Sequence, residues 1–194
     1  MNRIFIFLVS ISFFSSCRTN EIPKQDYSLI PYKGNEVLIF ESNKGETDTI
    51  FLAGTKSFIT ATDPLDIFPT KAEHYYILAR SSDPSLRGSK HRYLTNPMVE
   101  LSMSENNETY LKIDFTAKDA WFYGDSWLKK DKLMAKPKIS MELNNEKLND
   151  VVVFEDLEKH YYDRTNHVEK LYWSLSKGIV RFEKKDNEVW ELKK

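Results

Sequence analysis

Gly124-Asp125-Ser126 is the segment of this 194-residue chain whose residue types come nearest to nucleophilic catalysis. A serine nucleophile needs an imidazole to take its proton and a carboxylate to orient that imidazole. In the Gly-Asp-Ser arrangement the pair is an aspartate with a histidine three residues later, near the carboxyl end. Here Asp156 and His160 stand four apart, as do Asp163 and His167, and the Gly-Asp-Ser segment sits mid-chain instead of opening an α/β fold. The expectation is a solvated turn between Trp121 and Trp127, with a serine hydrolase at Ser126 as the least favoured alternative. The histidines His74, His91, His160 and His167 are scattered, and none forms the close i, i+4 spacing that holds zinc on one helix face. Glu155, Asp156 and Glu158 lack the alternating Asp/Asn and glycine order of a calcium loop. No metal site and no complete catalytic constellation is expected. Aromatic residues are 13% of the chain and cluster at Tyr75-Tyr76, Trp121-Phe122-Tyr123, Tyr161-Tyr162 and Tyr172-Trp173. On a strand, neighbouring rings point to opposite faces, so one of each pair packs inward and the other faces out. Trp121, Trp127, Tyr161 and Tyr172 are the candidate ligand-contact rings, with edge and core packing as the competing role.

Cys17 is the only cysteine, which rules out an intramolecular disulfide and a cysteine-rich metal site. Arg3 gives the amino terminus a positive charge, Ile4 to Phe14 carry none, and Ser15 and Ser16 are small. The apolar run falls short of the roughly 20 residues that cross a bilayer as a helix, and it reads as the core of a signal peptide, residues 1–16. Phe14-Ser15-Ser16-Cys17 resembles the lipobox of Gram-negative lipoproteins, with Phe14 standing where that pattern more often carries Leu or another aliphatic residue. The resemblance implies cleavage before Cys17, a diacylglycerol on its sulfur and an N-acyl chain, such as palmitate, on its freed amine. It implies no other cofactor. Two or more acyl chains, at about 0.8 kcal/mol per buried methylene, make the attachment stable where one chain is marginal. The implied location is the cell envelope, lipid-anchored, with the outer membrane ahead of the inner.

These residues must be positioned by the elements of the mature chain. The mean hydropathy of −0.52 is that of a water-soluble domain, and a net charge of −1 with a pI near 6.4 excludes the concentrated basic surface that nucleic acid calls for. Residues 17–30 show little apolar periodicity and read as an acylated tether, and 31–194 as a single β-rich domain. Val37 to Ser42 is an apolar run between turn residues, with Thr49 to Ala53 as its return strand. Ser57 to Thr62 and Tyr75 to Arg80 are strand-like, but Pro64, Pro69, Pro84 and Pro97 mark the middle stretch as loop-rich. Val99-Leu101-Met103 and Leu111-Ile113-Phe115 alternate with polar residues around Asn106-Asn107, the signature of an antiparallel pair with one buried face. Ile139-Met141-Leu143, Val151 to Phe154, Leu171-Trp173-Leu175, Ile179 to Phe182 and Val189 to Leu192 follow, with turns at Asn144-Asn145 and Lys185-Asp186-Asn187. Asp156 to Tyr162 is a candidate short helix. The fold class is all-β: a predominantly antiparallel curved sheet, sandwich or incomplete barrel, with at most short helices.

Val37 to Ala53, Asp150 to Phe154, the run Tyr172 to Phe182 through Lys177-Gly178, and Glu188-Val189-Trp190 together resemble small β-rich lipoproteins of Gram-negative envelopes. In that group a strand ends at a Lys-Gly pair and an aromatic-rich final strand completes the sheet. The group carries no reaction to transfer. The expected function is that of a membrane-anchored, non-enzymatic binding or interaction domain. Its partners would be the membrane and another envelope protein, a glycan or a lipid. The alternative is a periplasmic carrier or chaperone of lipid or lipidated cargo with an apolar cavity.

Overall fold

The computed structural model describes residues 19–62, 65, 70–81, 97–117, 120–123, 127–155 and 167–193. Cys17, the expected signal peptide at 1–16, Gly124-Asp125-Ser126, His91 and the whole of 156–166, including Tyr161 and the candidate helix, lie outside them.

Alternating side chains build one antiparallel sheet. Its strands are β1 (Thr19–Asn20), β2 (Val37–Ser42), β3 (Thr47–Ala61), β4 (Lys71–Ser81), β5 (Pro97–Met103), β6 (Thr109–Ala117), β7 (Ala120–Tyr123), β8 (Leu128–Lys129), β9 (Ile139–Leu143), β10 (Glu146–Glu155), β11 (Val168–Ser174), β12 (Gly178–Lys184) and β13 (Val189–Leu192). The order across the sheet is β7-β6-β5-β4-β3-β2-β13-β12-β11-β10-β9, with β1 added parallel to β4 and β8 to β6. Among the described residues the helices are a 3-10 turn at Lys24–Leu29 and α1 (Lys130–Ala135). The sheet curls into a half-barrel, so the fold is all-β and is an incomplete barrel, not a sandwich.

Curling brings distant strands face to face across the core. Phe115 of β6 packs on Phe40 of β2 at 5.8 Å between ring centroids, although β5, β4 and β3 lie between them in the sheet, and on Phe182 of β12 at 5.1 Å. Trp190 stacks on Phe182 at 5.7 Å. Val99, Leu101, Leu111, Ile113, Leu171, Trp173 and Ile179 complete this buried face. The turns fall where asparagine can adopt a left-handed backbone: Asn107, Asn144, Asn145 and Asn187 all have positive φ.

Two expectations are corrected. Thr49 to Ala53 and Ser57 to Ala61 are not separate strands but parts of one 15-residue strand, β3, paired with the 11-residue β4, while Pro64, Pro69 and Pro84, on which the loop-rich reading rested, lie outside the described residues. A bulge between Leu52 and Thr55, beside Gly54 at φ 110°, absorbs the extra residue and switches the inward face from even to odd positions. Nor are residues 19–30 a loose tether. Ile22, Leu29 and Ile30 are buried, and Asn20 Nδ2 donates to the carbonyls of Ser104 and Glu105. The buried Asp26 carboxylate accepts from Thr109 Oγ1 at 2.5 Å and from Lys130 Nζ at 2.6 Å.

Candidate functional site

Among the described residues, the sheet face opposite the core carries a row of chemically capable side chains. Register places them in rows. Phe58, His74, Ser102 and Tyr110 are successive partners across β3, β4, β5 and β6, and Lys56, Tyr76, Glu100 and Lys112 form the next row. All occupy even positions, whereas the core face of β4, β5 and β6 is built from odd ones such as Ile77, Leu101 and Phe115. The period of two that buries one face therefore gathers these groups on the other.

At the centre, His74 Nδ1 lies 2.9 Å from Glu100 Oε1, and Glu100 is only 6% exposed. The Tyr76 hydroxyl is bonded to the same carboxylate. Burial first, and then the negative charge of Glu100, push Tyr76 up to about 12. Phe58 lies flat on the imidazole, 5.1 Å away at an interplanar angle of 10°, and 5.1 Å from the Tyr76 ring. A carboxylate engaging Nδ1 fixes ring orientation and leaves Nε2 as the nitrogen that a ligand could meet. Farther along, burial raises the Asp114 carboxyl above its ordinary value, opposed by the charge of Lys112. The Lys112 ammonium sits 5.8 Å from the ring of Trp127, which is exposed. Rings, a histidine, two acids and a lysine on one strip suit a polar ligand with flat apolar faces, such as a sugar chain.

The sequence candidates are distributed as follows. Trp127 lies at the β6 margin of this face. Trp121 is in β7, paired with Thr116, and its side chain is not among the described ones. Tyr172 is half-buried against the core and occupied by its neighbours: its hydroxyl donates to Glu183 at 2.8 Å and Arg181 lies over its ring at 5.3 Å. Ser126 and Tyr161 lie outside the described residues. Phe58, Tyr76 and Glu100 went unread as a site because register across four strands, invisible in the linear spacing, assembles them. The available signal was the Tyr75-Tyr76 pair, whose rings do diverge, Tyr75 packing at 5.0 Å against Tyr27 on the inner side.

Among the described residues there are also two recesses. A polar cleft of about 240 Å³ lies between Pro23, Asp26, Asn107 and Lys130, where Asp26 pairs with Lys130 and Glu108 with Lys129. A more apolar one of about 280 Å³ lies between Tyr32, Leu38, Leu143 and Leu192. Both fall below the roughly 300–1,000 Å³ typical of ligand pockets. No group of three or more His, Cys, Asp or Glu that could hold a metal occurs among the described residues.

No family model, curated protein or solved structure matches the chain.

Proposed function

We infer that this chain is a lipid-anchored envelope protein, acylated at Cys17, whose β domain binds an envelope glycan without catalysing a reaction. The observation that carries the binding reading is the row of Phe58, His74, Tyr76 and Glu100 on the outer face of β3, β4 and β5. Aromatic faces stack on the C–H surfaces of sugar rings, while the carboxylate and imidazole hold hydroxyls. The anchor rests on the lipobox resemblance at Phe14-Ser15-Ser16-Cys17 and, with it, the envelope location, the outer membrane ahead of the inner. The acyl groups on Cys17 are the only non-protein chemistry in this reading.

The packing of the inner face favours a surface-binding domain over a carrier with an apolar cavity, since Phe40, Phe115, Phe182 and Trp190 fill the space that cargo would need. The test is co-sedimentation of the full acylated protein with purified murein sacculi and, separately, lipopolysaccharide. Binding to one of them is expected, weakened roughly fivefold by Phe58→Ala or Tyr76→Ala, the loss of about 1 kcal/mol per ring. Binding that is absent from both, or indifferent to both substitutions, contradicts the reading. So does covalent labelling by a fluorophosphonate probe that Ser126→Ala abolishes, since that would make the chain a hydrolase.

A further inference from the structure

The half-barrel leaves its sheet open at β9. Every residue from 127 to 155 is described, and across that stretch β9 pairs with β10 on one side, while no described strand pairs with the other. A row of unpaired N–H and C=O groups on such an edge is a template for another strand. Which groups face outward follows from the turn. Asn144 and Asn145, at φ 51° and 65°, form the two-residue connection that Leu143 and Glu146 flank as partners. Residues in that place exchange both hydrogen bonds, so alternation directs the backbone groups of Leu143 and Met141 to β10 and those of Glu142 and Ser140 to the open side.

The side chains of this edge are complementary to themselves. Lys138, just ahead of the strand, shares one face with Ser140 and Glu142, while Ile139 and Met141 share the other with the buried Leu143. In an antiparallel pairing of two β9 strands centred on Ser140, each Lys138 meets Glu142 of the second copy and each Ile139 meets its Met141. Ile139 is 38% exposed although it lies opposite the buried Val151, and a second strand would cover it. Among the described residues Lys138 has no cross-strand partner within its own chain. Proline and lysine are residue types that guard an edge against pairing. Here Pro137 lies on the parity that faces β10, so the donor it lacks is not one the open side uses, and Glu142 answers the Lys138 charge.

We propose that two copies of this chain join β9 to β9 in antiparallel register about Ser140, closed by two Lys138–Glu142 pairs on one face and two Ile139–Met141 contacts on the other. The backbone groups of Ser140 and Glu142 then bond across the seam, and the sheet continues from one half-barrel into the next. Five strand residues a side make a small interface, so the association is weak and depends on concentration.

The experiment uses the full chain, purified in non-ionic detergent and carrying Ser140→Cys. The two copies of position 140 are direct partners in this register, about 5.5 Å apart at Cα, within reach of a disulfide. Copper-phenanthroline oxidation is expected to give a covalent dimer on a non-reducing gel. The parent chain, whose only cysteine is Cys17, and Lys44→Cys, in the exposed turn between β2 and β3, set the background. Adding Lys138→Glu puts two carboxylate pairs at the seam, and adding Glu142→Lys puts two ammonium pairs there. Each is expected to cut the yield at least about fivefold, and mixing the two variants to restore it, since only the mixed pair has opposite charges at both positions. Restoration on mixing also shows that both variants fold. A Ser140→Cys yield no higher than background at about 1 mM protein overturns the proposal. So does a yield that either charge reversal leaves unmoved, or that mixing leaves low.

Discussion

Gly178 shows how one missing side chain holds the closing strands together. It sits at φ 80°, and a Cβ there would lie 2.2 Å from the ring and hydroxyl of Tyr32. That hydroxyl accepts a hydrogen bond from the Ile179 N–H at 2.6 Å, inside the core, and the Tyr32 ring packs edge-on against Trp173 at 5.9 Å. Gly45 has nearly the same backbone, φ 81°, with nothing within 4 Å of the added carbon. Gly178→Ala is therefore expected to cost about 3 kcal/mol or more and Gly45→Ala about 1 kcal/mol, the difference being steric, as measured by urea unfolding. The Lys177-Gly178 turn was legible in the sequence. Tyr32 as its partner was not, because the contact spans almost the whole domain. Asp114 supplies a second prediction. Its folded pKa is raised by burial, so its ionised form opposes folding, and stability is lost as pH rises through that value. Asp114→Asn is expected to raise the melting temperature at pH 7 and to lose this advantage at a pH below 3.8, where the acid is protonated in both states.

Among elements, the amino-terminal segment was the least legible. Ile22, Leu29 and Ile30 follow neither the strand nor the helix period, since they are buried by docking onto a finished sheet and not by belonging to a regular element. Its clasp is Glu73 on β4, which accepts from the Ile22 N–H, the Tyr27 hydroxyl and the Ser57 hydroxyl at 2.8–2.9 Å. Burial would raise this carboxyl, but the three hydrogen bonds outweigh it and hold it below its ordinary 4.5. A depressed folded pKa contributes stability that is present above 4.5 and lost as pH falls through the folded value. Glu73→Gln should cost about 1–2 kcal/mol at pH 7 and flatten the acid limb of the urea midpoint against pH. An unchanged limb would mean that Glu73 is not the clasp. By contrast, β6 and β13 were readable because each buries one face and alternates, and β5 because its apolar residues alternate in sequence although both of its faces are buried. The same alternation concealed the continuity of β3, where the Gly54 bulge shifts the parity midway.

For the whole molecule, the all-β class follows from many short alternating runs separated by Asn and Gly turns. Closure into a half-barrel does not, because it depends on Phe115 meeting Phe40 and Phe182 across the curl. The candidate binding face was hidden for a related reason: its residues come from four strands and meet only through register. The proposed anchor, by contrast, rests on contiguous residues around Cys17 and needs no fold to be read. Intact-mass and tandem mass spectrometry of the protein purified from membranes of a Gram-negative host tests this most directly. The predicted product begins at Cys17 and carries a diacylglycerol and an N-acyl chain there, while Cys17→Ser yields unacylated protein that no longer floats with the membranes. A mature chain beginning elsewhere, or an unmodified Cys17 thiol on membrane-bound protein, would contradict the account.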